Sequence, residues 1–253
     1  MNKVVFLSVE ESYKWWEHGY KIEQVGAFTK VTVKNSVRSI KKVQKKLRGE
    51  TVLVVCGNEM GKISDYVTEY REISPERILP IIGRVLRQTA HKNGIGLPLE
   101  DCYIAAPPKL ACRIIEKIYT LSRIFTVISD EDTSGEIYDE LYFKHGVPVR
   151  QLPSFCNSIP KESILIRAND ETLPTWAEIP VMDMSMKPST GKNAVDILSV
   201  YTKSEKISEA AMLWKGKSPL MLYELLGEYP EENQAVNITV STDKIFLLDT
   251  GAI

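Results

Sequence analysis

Short runs rich in β-branched and aromatic residues alternate along this chain with segments whose apolar positions recur every three or four residues, the period of an amphipathic helix. The runs predict strands at 3–9, 28–33, 51–56, 102–106, 124–129, 147–151, 163–167 and 179–184. Between them, Asn35 is placed to cap a helix that turns Val37, Ile40, Val43 and Leu47 inward. Ser74-Pro75 opens a second helix carrying Ile78, Ile82, Val85 and Leu86, with Pro80 as a point of kinking and Gly94 near its end. Leu110, Ala111, Ile114, Ile115, Ile118 and Tyr119 share one later helical face, and Ile137, Tyr138, Leu141 and Tyr142 another. Strands and helices in this alternation predict an α/β protein built from two α/β units with mostly parallel sheets.

Two glycines and a proline in Asn93-Gly94-Ile95-Gly96-Leu97-Pro98 mark the expected boundary, giving an N-terminal α/β unit at 1–98 and a second unit at 99–190. Beyond about Gly191 the alternation fades, and 191–253 is expected to pack on the rest. It carries a helix from Ser218-Pro219 to Gly227 and a β-hairpin in which Val236, Ile238 and Val240 alternate with polar residues, turn at Thr242-Asp243, and continue in Ile245 and Leu247.

Composition narrows the chemistry. A chain of 253 residues buries roughly three quarters of its unfolded surface, so it needs neither disulfide nor structural metal. Cys56, Cys102, Cys112 and Cys156 form no C-x-x-C pair, and no His stands at zinc spacing, so reduced and mostly buried thiols are expected and no metal. The start reaches Glu10-Glu11 too soon for a secretory signal, no apolar run approaches the ~18 residues of a spanning helix, and a cytoplasmic protein is expected. Thirty-two basic residues against thirty-three acidic ones leave a net charge of -1, a balance that gives no global field toward nucleic acid or membrane. Neither is expected as a partner. Tyr13, Trp15, Trp16 and Tyr20 form an aromatic cluster suited to core packing or to a homo-oligomer interface.

Three segments can hold an anion. Gly57-Asn58-Glu59-Met60-Gly61-Lys62 follows a strand, where open α/β sheets bind ligands. It is not a P-loop, since three residues separate the glycines and Ile63 replaces the magnesium-binding hydroxyl. It reads either as a nest of amides with Lys62 or as a plain turn. Ser189-Thr190-Gly191-Lys192 offers hydroxyls and a cation, or a plain loop. Arg38, Lys41, Lys42, Lys45, Lys46 and Arg48 make the first helix strongly basic, which by default is a solvated face. Asp249-Thr250-Gly251 matches the aspartic-protease triplet, but that chemistry needs two such aspartates in a barrel.

The second unit runs through Cys102-Tyr103-Ile104-Ala105-Ala106, Ile124 to Asp130, and Val181-Met182-Asp183-Met184-Ser185-Met186-Lys187-Pro188. In that order it resembles the dinucleotide-binding domain of the Rossmann class, nearest to the shikimate dehydrogenase-like family. The resemblance implies a nucleotide cofactor, with Asp130 at the end of the second strand accepting from a ribose; read from the residues, Asp130-Glu131-Asp132 is equally a solvated acidic helix start, favourable toward the helix dipole. Where the family has G-x-G-x-x-G, this chain has Ala105-Ala106-Pro107-Pro108-Lys109-Leu110, and the two prolines remove amides that would face a pyrophosphate. NAD(P) is therefore disfavoured and the fingerprint is degenerate. The family's catalytic Lys and Asp have no counterpart motif in 1–98, so no catalytic residue is assigned. The expected ligand-binding set is Gly57, Asn58, Lys62, Ala106, Lys109, Asp130, Asp183, Thr190 and Lys192, in a cleft between the units. The expected function is binding of a small molecule or nucleotide, in a diverged oxidoreductase or in a non-catalytic interaction protein that kept the fold.

Overall fold

The computed structural model describes residues 4–10, 19–48, 51–55, 61–70, 73–131, 136–155, 159–169, 179–185, 194–196, 200–202, 204–205, 207–214, 219–232, 235–238 and 245–248. In chain order these form β1 (Val4–Glu10), β2 (Tyr20–Val25), β3 (Phe28–Lys34), α1 (Val37–Lys46), β4 (Thr51–Val55) and, after a 3-10 segment at Gly61–Tyr66, β5 (Val67–Tyr70). There follow α2 (Pro75–Ile78), α3 (Ile82–Lys92), β6 (Cys102–Ala105), α4 (Pro108–Ile118), β7 (Phe125–Ile128), α5 (Glu136–His145) and β8 (Val149–Leu152). The rest is β9 (Ile164–Arg167), β10 (Val181–Asp183), β11 (Ala194–Asp196), β12 (Val200–Thr202), α6 (Ser208–Leu213), α7 (Leu220–Leu226), β13 (Val236–Ile238) and β14 (Ile245–Leu248).

Contacts gather the chain into two α/β units, one of Met1–Glu72, Lys203–Glu228 and Ser241–Ile253, the other of Ile73–Thr202 and Tyr229–Val240. The division differs from the one expected at Asn93–Pro98. Helix α3 packs against α4 and β13, which draws 73–98 into the second unit.

The sheet of the first unit has the order β2-β3-β1-β4-β14-β5. Its centre is parallel, β1 lying between β3 and β4, while β2, β14 and β5 run antiparallel to their neighbours. The sheet is therefore mixed. Ile40 and Val43 of α1, with Leu47 at its C-cap, close over Val5, Leu7, Val31 and Val33 in one core. Its cap is Ser36, one residue beyond the expected Asn35: Ser36 is extended at φ -150 and ψ 142, and its Oγ accepts from the Ser39 amide. The apolar runs expected to make a hairpin do form strands, but they join different sheets. Strand β13 pairs with β12, whereas β14 inserts between β4 and β5.

The second unit holds β12 and β13 as a separate antiparallel pair, and in its six-stranded sheet the described pairings are all parallel, in the order β11-β10-β9-β6-β7-β8. Counted along the unit this is 3-2-1-4-5-6, the strand order of the Rossmann fold. Strands β6, β7 and β9 are buried at every position, as the near-continuous apolar runs of a doubly covered sheet require. The helix opened by Ser74-Pro75 is broken rather than kinked. It stops at Ile78 and restarts at Ile82, because Pro80 has no amide to donate and its ring crowds the preceding turn. On α5, Tyr138 and Leu141 are buried as the pattern predicts, while Tyr142 is exposed. Among the described residues no helix is long and apolar enough to cross a membrane.

Candidate functional site

The 3-2-1-4-5-6 order reverses direction between β6 and β9, and a parallel sheet binds its ligands in the crevice outside the carboxyl ends of its strands at that point. Ala105 ends β6 opposite Arg167 of β9, and the Ala168 amide donates to the Ala105 carbonyl at 2.8 Å. The ladder thus stays closed up to the rim, where Ala106-Pro107 and Ala168-Asn169 form the two lips.

Pro107 is the N-cap of α4 and Pro108 its first residue, so neither brings an amide. Leu110 and Ala111 both donate to the Pro107 carbonyl, at 3.0 and 2.9 Å. That leaves the amide of Lys109 as the first turn's one uncommitted donor among the described residues. Ala106 is 1% exposed and has only backbone to offer. The side chain of Lys109 is exposed. A helix start built this way is a poor cradle for a pyrophosphate, which needs several converging amides.

Beyond β7 the chain is held firmly and leaves a carboxylate outside. Ser129 donates its amide to the Leu152 carbonyl, and Gln151 of β8 donates to the carbonyls of both Ser129 and Glu131, at 3.3 and 2.7 Å. The Glu131 amide donates to Ser129 Oγ. Asp130, between these fixed points, is exposed. A carboxylate on a rigid turn at the end of the second strand can accept two hydrogen bonds from a vicinal diol with little ordering cost.

Asp183, at the end of β10, is placed differently from its expected role. It is 1% exposed; Oδ2 meets Arg167 Nη1 at 3.1 Å, and Oδ1 accepts from the Ser185 amide at 3.0 Å and from Ser185 Oγ at 2.6 Å. Its acceptors are therefore spent inside the protein, joining the tips of β9 and β10. Such a pair contributes little net stability, yet losing one partner strands the other charge at a cost of about 3–5 kcal/mol. Two residues beyond Arg167, Asn169 Oδ1 is buried without a hydrogen-bond partner among the described residues, a state that costs about 1–3 kcal/mol until a donor reaches it.

Of the expected ligand set, the sheet edge gathers Ala106, Lys109, Asp130 and Asp183. Lys62 is exposed in the first unit, and Gly57, Asn58, Thr190 and Lys192 lie outside the described residues. Sequence reasoning missed Gln151, Arg167, Asn169 and Ser185. The available signal for Arg167 is a lone cation closing the apolar run Ile164-Leu165-Ile166. Both described cysteines are free, and burial raises the thiol of Cys102 and pushes that of Cys112 up to about 11, which disfavours the thiolate at each. Among the described residues no group of His, Cys, Asp and Glu is placed to hold a metal ion.

No family model and no curated protein matches the chain. A solved structure similar to it is the ligand-free form of 5-ketofructose reductase of Gluconobacter sp. strain CHM43, at 11% identity and a TM-score of 0.35, covering 90% of this chain and 99% of that one. The Rossmann assignment of the second unit rests on its own strand order, which speaks for that class and does not reach the shikimate dehydrogenase-like family in particular.

Proposed function

We propose that the second unit binds a small molecule containing a nucleoside, with the ribose held at Asp130 and the rest of the ligand at the crevice between β6 and β9. The observation that carries this reading is the exposed Asp130 on a turn clamped by Gln151, at the place where Rossmann sheets take a ribose. The orphaned acceptor Asn169 Oδ1 beside the switch point supports it, because a ligand donor would satisfy it. The prolines at the start of α4 weigh against a pyrophosphate, so NAD(P) is the disfavoured ligand and adenosine or S-adenosylmethionine the favoured kind. A diverged oxidoreductase is the finer form of this reading and requires a cofactor gripped by its ribose rather than by its phosphates. The edge holds no assigned catalytic residue.

The test is a thermal-shift screen with adenosine, S-adenosylmethionine, NAD(H) and NADP(H), repeated on Asp130→Ala. A ligand at ~100 times its Kd stabilises by about 2.7 kcal/mol, which moves the midpoint by several degrees. The shift should vanish in Asp130→Ala, and an undiminished shift there removes the ribose assignment. A second reading, an interaction protein that kept the fold, is favoured by one observation: Phe143 and Tyr142 on α5 form an edge-on pair and are 85% and 54% exposed. A silent screen together with concentration-dependent self-association would select it.

A further inference from the structure

The first unit carries a feature independent of the reading above. From Asn35 to Arg48 the chain has six cations and no acidic residue, while the remaining residues hold 26 cations against 33 anions. Most of the apolar stripe of α1 is engaged, Ile40, Val43 and Leu47 being 0%, 1% and 6% exposed, while Val37, expected inward, is exposed and borders the same groove as the cations. Arg38, Lys41, Lys42 and Lys45 recur at intervals of three and four, so they form one stripe that climbs about 10 Å along the axis, and Arg48 follows just beyond the C-cap Leu47. They border a groove of about 790 Å3 in which Gln44, 2% exposed, also takes part. Lys46 belongs to the same helix but does not line the groove.

Like charges at these spacings repel, and each such pair costs an isolated helix roughly 0.2–0.5 kcal/mol. Elsewhere several surface cations are paired, Lys21 with Glu23, Arg113 with Glu76, Lys117 with Glu232 and Lys144 with Glu116. Among the described residues Arg38, Lys41, Lys45 and Arg48 have no ion pair. A helix that accumulates repulsion along a concave groove, in a chain otherwise rich in acid, has left its positive field to be neutralised from outside.

We propose that this groove binds a compact ligand bearing several linked phosphates, either an inorganic polyphosphate or the phosphate chain of a nucleotide. Charge complementarity sets the class, since four cations along one helix stripe, with Arg48 just beyond its end, match a ligand of four or more negative charges rather than a single anion. Concavity favours a small ligand over a flat bilayer, and a membrane-seeking helix would need its apolar stripe, which here is mostly buried in the core. Base stacking by a single-stranded nucleic acid would need aromatic residues, and the groove's described lining has none.

Titration calorimetry of the full chain with inorganic tripolyphosphate and with ATP, at low and at physiological salt, tests this. Binding of either, weakening with salt and losing about tenfold in Lys41→Ala and in Lys45→Ala but less than twofold in Lys46→Ala, supports the groove. If both probes bind alike, the phosphates alone are recognised, and if only ATP binds, the source is a nucleotide. Asp130→Ala should leave this binding intact, which separates it from the ligand site of the second unit. The proposal is overturned by no binding, by equal losses in all three lysine variants, or by tighter binding of an oligothymidylate or of phosphatidylserine vesicles.

Discussion

Asp101 precedes β6 at the end of the sheet remote from the candidate ligand edge, and its carboxylate accepts from Thr126 Oγ1 at 3.0 Å and pairs with Arg150. Burial nonetheless wins, holding the carboxyl above its usual range against the pull of Thr126 and Arg150. An acid whose pKa is higher folded than unfolded takes up its proton more readily in the native state, so its contribution to stability grows as pH falls through the folded value and levels off below the unfolded one. Exposed acids such as Glu76 and Glu232, lowered by their hydrogen bonds to Arg113 and Lys117, act in the opposite direction. Those acids are common to the wild type and Asp101→Asn and cancel in the difference. The melting midpoint of the wild type relative to Asp101→Asn should therefore rise between pH 7 and pH 4, by about 2–4 °C for each kcal/mol of changed stability. A difference that shrinks over that range would mean that the ion pair with Arg150 outweighs burial.

At the scale of elements, helix ends supply the clearest local signals. Helix α7 ends in Gly227 at φ +70, with the Glu228 amide donating to the Tyr223 carbonyl and the Gly227 amide to that of Glu224, the paired bonds of a Schellman stop. Gly227→Ala keeps these bonds only by forcing a Cβ into left-handed backbone, and should lower stability by about 1 kcal/mol in urea unfolding. This glycine was legible in the sequence, and so were the central strands, whose apolar runs place β1, β3, β4, β6, β7, β9 and β10 within two residues at each end. The unread strands are mostly edges. Among the described strands, β2, β5 and β11 each have one neighbour, and β2 is largely exposed, so no buried face imposes a pattern on its sequence. Strands β13 and β14 were visible as apolar alternation, but their partners were not. Alternation records which face is buried, whereas the choice between a local hairpin and a distant strand is made by packing across the whole unit. The site was legible to the same degree: Asp130 follows from its place after a strand, while Gln151 and Asn169 acquire meaning only from what the sheet brings beside them.

Taken whole, the molecule depends on late residues to finish early structure. Strand β14 fills the gap between β4 and β5, so a sheet whose other members lie within the first 70 residues is completed by Ile245–Leu248, with Ile245 and Leu248 in its interior. Such pairings join residues 175 to 194 positions apart, and their loop-closure cost is met only when those residues are present. The second sheet makes no such demand, since all six of its strands come from 102–196. Ending the chain after residue 240 should therefore act on the two sheets unequally. Without β14, strands β4 and β5 lose their common neighbour, Phe246 no longer packs on the first core, and that core loses Leu248. Hydrogen exchange followed by mass spectrometry should show amide protection collapsing in β1, β3 and β4 while β6, β7 and β9 keep theirs. Equal loss in both sheets would mean that the two units unfold as one cooperative body, and unchanged protection in β1 and β3 would mean that the first sheet closes without its last strand.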